Sequence, residues 1–332
     1  MKKKLVSIVI PCFNEEKNID RFEKELLPFL KSEKYNFEVI AVDDGSNKDK
    51  TWESLTKISY KHHNFISLRH TKNYGMGAAY QTGFDEARGE YVITFSSDLE
   101  TDAKYVFKVI EKLEEGYDVV NTYREGRWGE TKKGSILRKI PSNIANYLIR
   151  NISGVDVKDT GSGLKGFKKF VTQNLKIYGD MHRFLPAYAS QFTKKIVEFP
   201  VEYQERTYGK SAYGSLKRTF AVFLDLVPMK FLLSFSTKPF TMMPGRIFGT
   251  FGFLIMIAGL FIVVFLSLEK IILGADIGTR PLFIVGLLFC VVGIQLILNG
   301  LLGELLLRIY YESSNRKPYL VGERVKIDEK NS

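Results

Sequence analysis

Cysteine, histidine and tryptophan are scarce in this chain: its 332 residues include two cysteines, four histidines and two tryptophans. Cys12 and Cys290 lie in unlike contexts, so no structural disulfide is expected and the soluble part reads as belonging to a reducing compartment. His62, His63, His70 and His182 show no zinc-ligand spacing. A glycine-rich turn after the first strand is missing, which disfavours nicotinamide or flavin binding. The opening Met-Lys-Lys-Lys runs straight into a strand of about six residues, too short for a signal-peptide core. No internal repeat and no low-complexity stretch is evident.

What the chain does have is short β-rich apolar runs that stop at acids. Tyr91 to Phe95 reads as a buried strand and ends at Ser96-Ser97-Asp98-Leu99-Glu100. Carboxylates at the carboxyl end of a buried parallel strand sit where α/β sheets place their ligands. Asp98 and Glu100 are hard oxygen donors suited to Mg²⁺ or Mn²⁺ carrying a diphosphate. The alternative is a polar strand end, with Asp102 capping a helix from about Lys104. Leu5 to Ile10 is another such strand, closed by Pro11, and a helix follows to about Leu30. Phe37 to Val42 ends in Asp43-Asp44-Gly45-Ser46, with Asp49 and Thr51 placed to cap the next helix. A carboxylate there suits the ring N–H of uracil or guanine, or forms an ordinary Asx turn.

Ile66 to Arg69 reads as a third strand, and Asn73 to Ala79 opens a helix whose small residues serve either an anion or close helix–sheet packing. Asp118 to Thr122 is a further strand, followed by Arg124 and Arg127, whose rigid forks suit phosphate. An amphipathic segment from Ser135 to Ile152, interrupted by Pro141, leads to the turn Lys158-Asp-Thr-Gly-Ser-Gly-Leu-Lys165. A helix opens at Met181, Lys195 to Val201 is a strand, and Arg206 to Gly214 is a basic loop, either mobile over a site or merely solvated. Strands alternating with helices predict an α/β domain with a mostly parallel, Rossmann-like sheet.

Beyond about residue 245 the chain is strongly apolar. Ile247 to Leu268 and Pro281 to Gly303 are each long enough to span a bilayer, and Leu216 to Leu233 suits an interfacial helix. Gln295 and Asn299 are expected to face the partner helix, and Glu304 to pair with Arg308. Basic residues crowd both flanks (Lys217, Arg218, Lys230, Lys238, Arg246; Arg308, Arg316, Lys317, Arg324), while the connecting loop has two, which puts both ends in the cytoplasm. The expected organisation is 1–212 catalytic, 213–244 interfacial, 245–311 membrane-spanning and 312–332 tail. The net charge of +11 is then explained by an anionic lipid surface and phosphorylated substrates, with no nucleic-acid partner. Small residues in the spans permit helix association, hence a homo-oligomer.

In order and spacing, SIVIPCFNEEKNI, VDDGS, NYGMGAAYQTGF, SSDLE, DTGSGLK, HRFLPA and RTYGKSAYG followed by paired spans resemble family 2 glycosyltransferases of GT-A fold. More narrowly they resemble the polyisoprenyl-phosphate glycosyltransferases, the dolichyl-phosphate mannose synthase and undecaprenyl-phosphate sugar transferase group. The resemblance covers nearly the whole chain. It implies that Pro11, Phe13, Glu15, Val42, Asp44 and Ser97 line the nucleotide, and that Asp98 and Glu100 hold Mg²⁺ or Mn²⁺ and the diphosphate. It also implies that Arg124, Arg206 and Lys210 reach the phosphates, and that Asp159, with Lys165 in the same segment, lies near donor sugar and acceptor. Two departures stand out: Ser96 replaces the first acid of an Asp-x-Asp-Leu-Gln pattern, with Glu100 in place of the glutamine, and Ala212 replaces a loop lysine.

The implied reaction is inverting transfer of a sugar from a nucleoside diphosphate sugar, UDP-hexose ahead of GDP-mannose, to a polyisoprenyl phosphate. Such an acceptor is largely deprotonated at neutral pH, its second pKa being about 6, so no histidine base is needed. Asp98, Asp159 and Arg206 are the residues assigned to the chemistry. A processive polysaccharide synthase is a weaker fit, because neither Trp52 nor Trp128 sits in a Gln-x-x-Arg-Trp motif. A silent membrane-anchored nucleotide-sugar sensor is the other alternative, motivated by Ser96 and Ala212.

Overall fold

A computed structural model describes residues 3–125, 147, 149–151, 153–177, 179–204, 229–230, 244–274, 276 and 280–313. The chain divides into two compact units, Met1–Lys230 and Phe231–Ser332.

The first unit is built on seven strands: β1 (Lys4–Cys12), β2 (Tyr35–Asp43), β3 (Phe65–Arg69), β4 (Tyr91–Thr94), β5 (Val119–Glu125), β6 (Lys165–Lys168) and β7 (Ile196–Glu202). Their order across the sheet is β3-β2-β1-β4-β6-β5-β7. All neighbours run parallel except β6, which is antiparallel to both β4 and β5. The sheet is therefore mixed, as a sequence expectation of a mostly parallel sheet allows. β1 pairs with β2 on one edge and β4 on the other, so strand order reverses about it; such a reversal is where α/β sheets leave a ligand crevice.

Alternation along β1 builds the layers. Val6, Ile8, Ile10 and Cys12 join one core with Val39 and Ala41 of β2, Ile93 of β4, and Ile19, Phe22 and Leu55. Those last three come from α1 (Glu16–Arg21), the π-helical turn Phe22–Leu26 that continues it, and α2 (Thr51–Lys61). Val106, Ile110 and Leu113 of α4 (Tyr105–Glu114) complete this face. Gly166 of β6 lies under Val109, where any side chain would meet it. Val9 points to the other face, against Gly83 of α3 (Met76–Glu86), where the rings of Phe84 and Phe167 meet edge to face at 5.8 Å between centroids.

Several local expectations change. The helix after β1 regularises only to Leu26, not to Leu30. The segment at Met181 is a 3₁₀ turn, Gly179–Phe184, preceded by α5 (Lys169–Asn174) and leading into the five-residue α6 (Leu185–Ala189). Asp49 and Asp102 accept the N–H of Thr51 at 3.1 Å and of Lys104 at 2.9 Å just ahead of α2 and α4, but the N-cap positions themselves fall on Lys50 and Lys104. Thr51 does not cap its own helix; its hydroxyl accepts the N–H of Glu15 at 2.7 Å. β5 runs to Glu125, so Arg124 belongs to the strand rather than to a loop after it.

The second unit contains α7 (Pro244–Leu273) and α8 (Pro281–Ser313), which outrun the predicted spans. At 1.5 Å per residue they are about 45 and 50 Å long, enough to cross a bilayer. They are antiparallel. Gly252 faces the carbonyl of Gly293, Gly259 that of Gly286, and an added Cβ at either would come within 2.6 Å of that oxygen. Gly245 and Gly300 continue the seam, an added Cβ at Gly300 coming within 3.3 Å of Gly245 Cα. The glycines thus recur every seven residues on both helices, a repeat that keeps one stripe of each helix against the other with a slight left-handed supercoil. Gln295 and Asn299 lie on the exposed side of α8, contrary to expectation, because the glycines occupy the seam. The side chain of Arg308 is outside the described residues, so its pairing with Glu304 is too; the same holds for most of 135–152 and 216–233.

A valine at position 252 or 293 forces the backbones apart and is expected to destabilise the helix pair by about 1–3 kcal/mol. Thermal unfolding of the detergent-solubilised protein reads this, with Leu260→Val on the exposed surface as control. Equal melting temperatures for Gly293→Val and the control would contradict the close-packed seam.

Candidate active site

The carboxyl ends of β1, β2 and β4 meet at one place. Asn14 and Leu99, just past β1 and β4, are the two non-glycine residues with positive φ among those described, at 55° and 54°. A left-handed leucine is uncommon and costs conformational energy, so surrounding structure must hold it there. Its side chain, 4% exposed, is anchored in the core. The bend carries Asp98 and Glu100 to either side of it. Asp98 Oδ1 accepts the Ser96 hydroxyl at 2.5 Å and the Glu100 N–H at 3.2 Å. Ser96 therefore orients the remaining acid of the sequence pattern rather than replacing the missing one as a ligand. Gly163 lies directly against Ser96, and its carbonyl accepts the Thr94 hydroxyl at 2.9 Å.

Arg124 reaches this turn from β5. Its side chain is 2% exposed; Nη1 donates to Glu100 Oε2 at 2.9 Å. Nε and Nη2 donate to Asp159 Oδ2 and Oδ1 at 2.7 and 3.1 Å, a two-point fork. Gly161 N–H adds a 3.0 Å bond to Asp159 Oδ1. Beneath this, Glu198 of β7 accepts from Asn121 and from the backbone N–H groups of Lys158 and Asp159. Burial raises its pKa above the ordinary carboxylate value. Lys165, 3% exposed at the start of β6, donates to the Ser162 carbonyl. Burial pulls its pKa down to about 8; Asp159 and Glu198 oppose that and Arg124 reinforces it.

Asp44 lies at the other wing, 3% exposed. Its oxygens accept the N–H groups of Tyr74 and Gly75 at 2.9 and 2.8 Å and contact His70 Nδ1 at 2.7 Å. His70 Nε2 in turn contacts the Thr82 hydroxyl at 2.9 Å. The acid thus ties the β2 tip to the start of α3. A cleft of about 540 Å³ opens beside it, lined by Gly45, Ser46, Asn47, Arg69, His70, Thr71, Lys72 and Asn73. Gly45 has φ +70° and lies against the Lys72 backbone, so only glycine fits there. Pro11 and Val42 are buried partners across β1 and β2, Phe13 is 41% exposed, and Ser97 is buried. Glu15 is half-buried and holds Asn18 at 2.5 Å. Arg206, Lys210, Ala212 and Arg127 lie outside the described residues.

The structure thus brings together Asp98, Glu100, Arg124, Asp159 and Lys165, and separately sets Asp44 beside the cleft. Arg69, His70 and Lys72 were not singled out from sequence; basic residues right after a strand that ends beside an acid-tipped one were the available signal. His182 and Arg183 were quoted only within a motif. His182 Nδ1 and Arg183 Nη1 are buried without a hydrogen-bond partner among the described residues. Burial draws the pKa of His182 down to about 4, so its imidazole is neutral at physiological pH.

No group of three or more His, Cys, Asp or Glu side chains among the described residues is arranged to hold a metal. Asp98 and Glu100 alone are two hard oxygen donors on one turn, which fits a divalent ion that takes its other ligands from a diphosphate and water.

A mixed sheet with acids at a strand-order reversal and a nucleoside-sized cleft beside them is the GT-A arrangement of nucleotide-sugar enzymes. Residues 7–175 match the family described as glycosyl transferase family 2, and the chain belongs to that family as a glycosyltransferase. It is 35% identical over 322 residues to a dodecaprenyl-phosphate galacturonate synthase of Rhizobium johnstonii, covering 95% of this chain and 91% of that one. It is 30% identical over 324 residues to an undecaprenyl-phosphate 4-deoxy-4-formamido-L-arabinose transferase of Aeromonas hydrophila, covering 97% and 94%. Among solved structures, glucosyl-3-phosphoglycerate synthase of Mycobacterium tuberculosis, bound to Mn²⁺, UDP-glucose and phosphoglyceric acid, superposes with a TM-score of 0.51 at 16% identity, over 68% of this chain and 80% of that one. At that identity the likeness concerns the fold.

Lys165 gives a pH test. Its folded pKa of about 8 lies below the ordinary 10.5, so between these values the unfolded chain binds more protons and stability rises with pH. Lys165→Met is expected to melt higher than wild type at pH 7, with the gap narrowing from pH 8 to 10.5. A gap that is constant over that range would show Lys165 to be ordinarily solvated.

Proposed function

We propose that this chain moves a sugar from a nucleoside diphosphate sugar to a polyprenyl phosphate at the cytoplasmic face of a membrane. The observation that carries the reading is the extent of the likeness. Relatives named for polyprenyl-phosphate sugar transfer match over 95% or more of this chain, through the acid-tipped sheet and both apolar helices alike. The positive flanks of those helices support a cytoplasmic catalytic unit. The donor we favour is a UDP-hexose, its uronic acid form included, since the Rhizobium johnstonii relative is named for galacturonate.

In this reading the base enters the cleft beside Asp44, whose buried carboxylate stands where a uracil N–H is read, with Phe13, Pro11 and Val42 around it. Asp98 and Glu100 hold a divalent ion. That ion, when bound, neutralises charge on the departing diphosphate. The acceptor phosphate oxygen attacks the anomeric carbon, and the bond to the diphosphate breaks with its electron pair leaving on the diphosphate. Direct displacement inverts the anomeric centre. The phosphate monoester is already anionic at neutral pH, so no side chain has to remove a proton. Asp159 positions donor or acceptor, Arg206 and Lys210 add positive charge at the phosphates, and Lys165 supports the same wall. The membrane helices keep the isoprenoid acceptor and the site at one surface, which raises their encounter. The domain limits at 212, 244 and 311 belong to this proposal.

Incubating the purified full chain with Mn²⁺, undecaprenyl phosphate and a panel of labelled UDP- and GDP-sugars is expected to give a lipid-linked monosaccharide of inverted anomeric configuration. Asp98→Asn is expected to lower kcat on the order of a hundredfold or more without lowering the melting temperature. A long polymer, or nucleotide-sugar binding without turnover across the panel, would overturn the reading.

A further inference from the structure

Glu100 occupies two roles at once. It is half of the acid pair proposed for the divalent ion, and it is already bound by a cation that the fold supplies. Its Oε2 lies 2.9 Å from Arg124 Nη1 in a place where both side chains are at most 10% exposed. Carboxylates shielded from water require a positive or hydrogen-bonding partner. Arg124 meets that requirement without metal. The same guanidinium is fixed on its other edge by the fork to Asp159, and Asp159 is fixed by Gly161 N–H. The Glu100 carbonyl accepts the N–H of Gln204 at 2.9 Å, two residues before Arg206. One guanidinium thus joins the turn after β4, the end of β5 and the loop at 159–161.

We infer that Arg124 is an internal stand-in for the divalent ion: it holds Glu100 while the site is metal-free and yields that carboxylate when metal and diphosphate arrive together. The Asp159 fork keeps the guanidinium in place during the exchange, so only Nη1 changes partner, from Glu100 to an anionic oxygen of the incoming diphosphate. A bare divalent ion must compete with Arg124 for Glu100; an ion arriving with diphosphate brings the guanidinium a further anionic partner with it. Metal affinity is therefore low without nucleotide, and metal and nucleotide bind with positive coupling. Arg124 acts here as a positioning residue through Glu100. This inference rests on the proposed metal role of Asp98 and Glu100.

The test measures Mn²⁺ binding to the full chain in detergent by electron paramagnetic resonance, without donor or acceptor, so turnover does not enter. Arg124→Met is expected to tighten Mn²⁺ binding by about fivefold or more. Arg124→Lys keeps the charge but loses the fork, and is also expected to tighten binding, because the shorter reach of one ammonium cannot serve Asp159 and Glu100 together. In a Glu100→Gln background both effects are expected to fall below about twofold, since the coupling passes through that carboxylate. Adding UDP is expected to tighten Mn²⁺ binding more in wild type than in Arg124→Met. The inference is overturned if folded Arg124→Lys binds Mn²⁺ as wild type does, or if the Arg124→Met effect persists undiminished in Glu100→Gln. If Asp98→Asn leaves Mn²⁺ binding unchanged, the metal site itself is misassigned and the proposed function fails with it.

Discussion

The pairing of β1 with β2 along one edge and β4 along the other is the constraint from which the site follows. Both partners are parallel to β1, so the three strands point their carboxyl ends the same way, β2 stopping level with Cys12 and β4 level with Val9. The gap left between them is lined by whatever residues end those strands. Here they are Asn14, the Asp43-Asp44 pair and the Ser96–Glu100 bend. Asn14 shows how tightly the tips are laced: its N–H reaches the Ser46 hydroxyl at 2.8 Å, and its side-chain oxygen accepts the N–H groups of Asn47 and Lys48. Backbone in the left-handed region on both sides of the gap is held by these contacts and by the buried Leu99.

Among the described residues, acid outweighs base at this gap. Asp98, Glu100, Asp159 and Glu198 are met by Arg124 and by a lysine whose charge is itself penalised by burial. A core built for stability alone would replace such a cluster with apolar side chains, often at no loss. Such a cluster inside the sheet is in keeping with the ligand site proposed above. The second wing, around Asp44, sets Arg69, His70 and Lys72 on the cleft wall, with Arg69 paired to Asp43 and His70 to Asp44. The nucleoside diphosphate and divalent ion proposed above would span the two wings.

Much of this was legible because it is local. The strands are unbroken Val, Ile and Phe runs, and the acids stand directly at their ends, so pattern and chemistry coincide in a few residues. Arg124 was read as following its strand, whereas it lies within β5, and its burial depends on Asp159, thirty-five positions further on, arriving beside it. The antiparallel direction of β6 was hidden for the same reason, since four residues with lysine at both ends carry no signal of their neighbours. Gln295 and Asn299 were sent to the wrong side of their helix by the rule that polar residues turn inward, which glycines spaced by seven overruled. That spacing was present in the sequence, and the uniform apolarity of the segment concealed it.

The glycine seam between α7 and α8 has a consequence for how those helices tolerate change. Where side chains form a contact, rotamers can absorb a slip; where carbonyl meets Cα, nothing is soft enough to yield. One residue added within α7 after Gly252 would turn Gly259 by roughly 100° around its axis and present bulk to the opposite backbone. The loop joining the helices carries no such penalty. Added length in this unit is accordingly tolerated only in the connection, and the two rods behave as one ruler with its graduations cut in glycine.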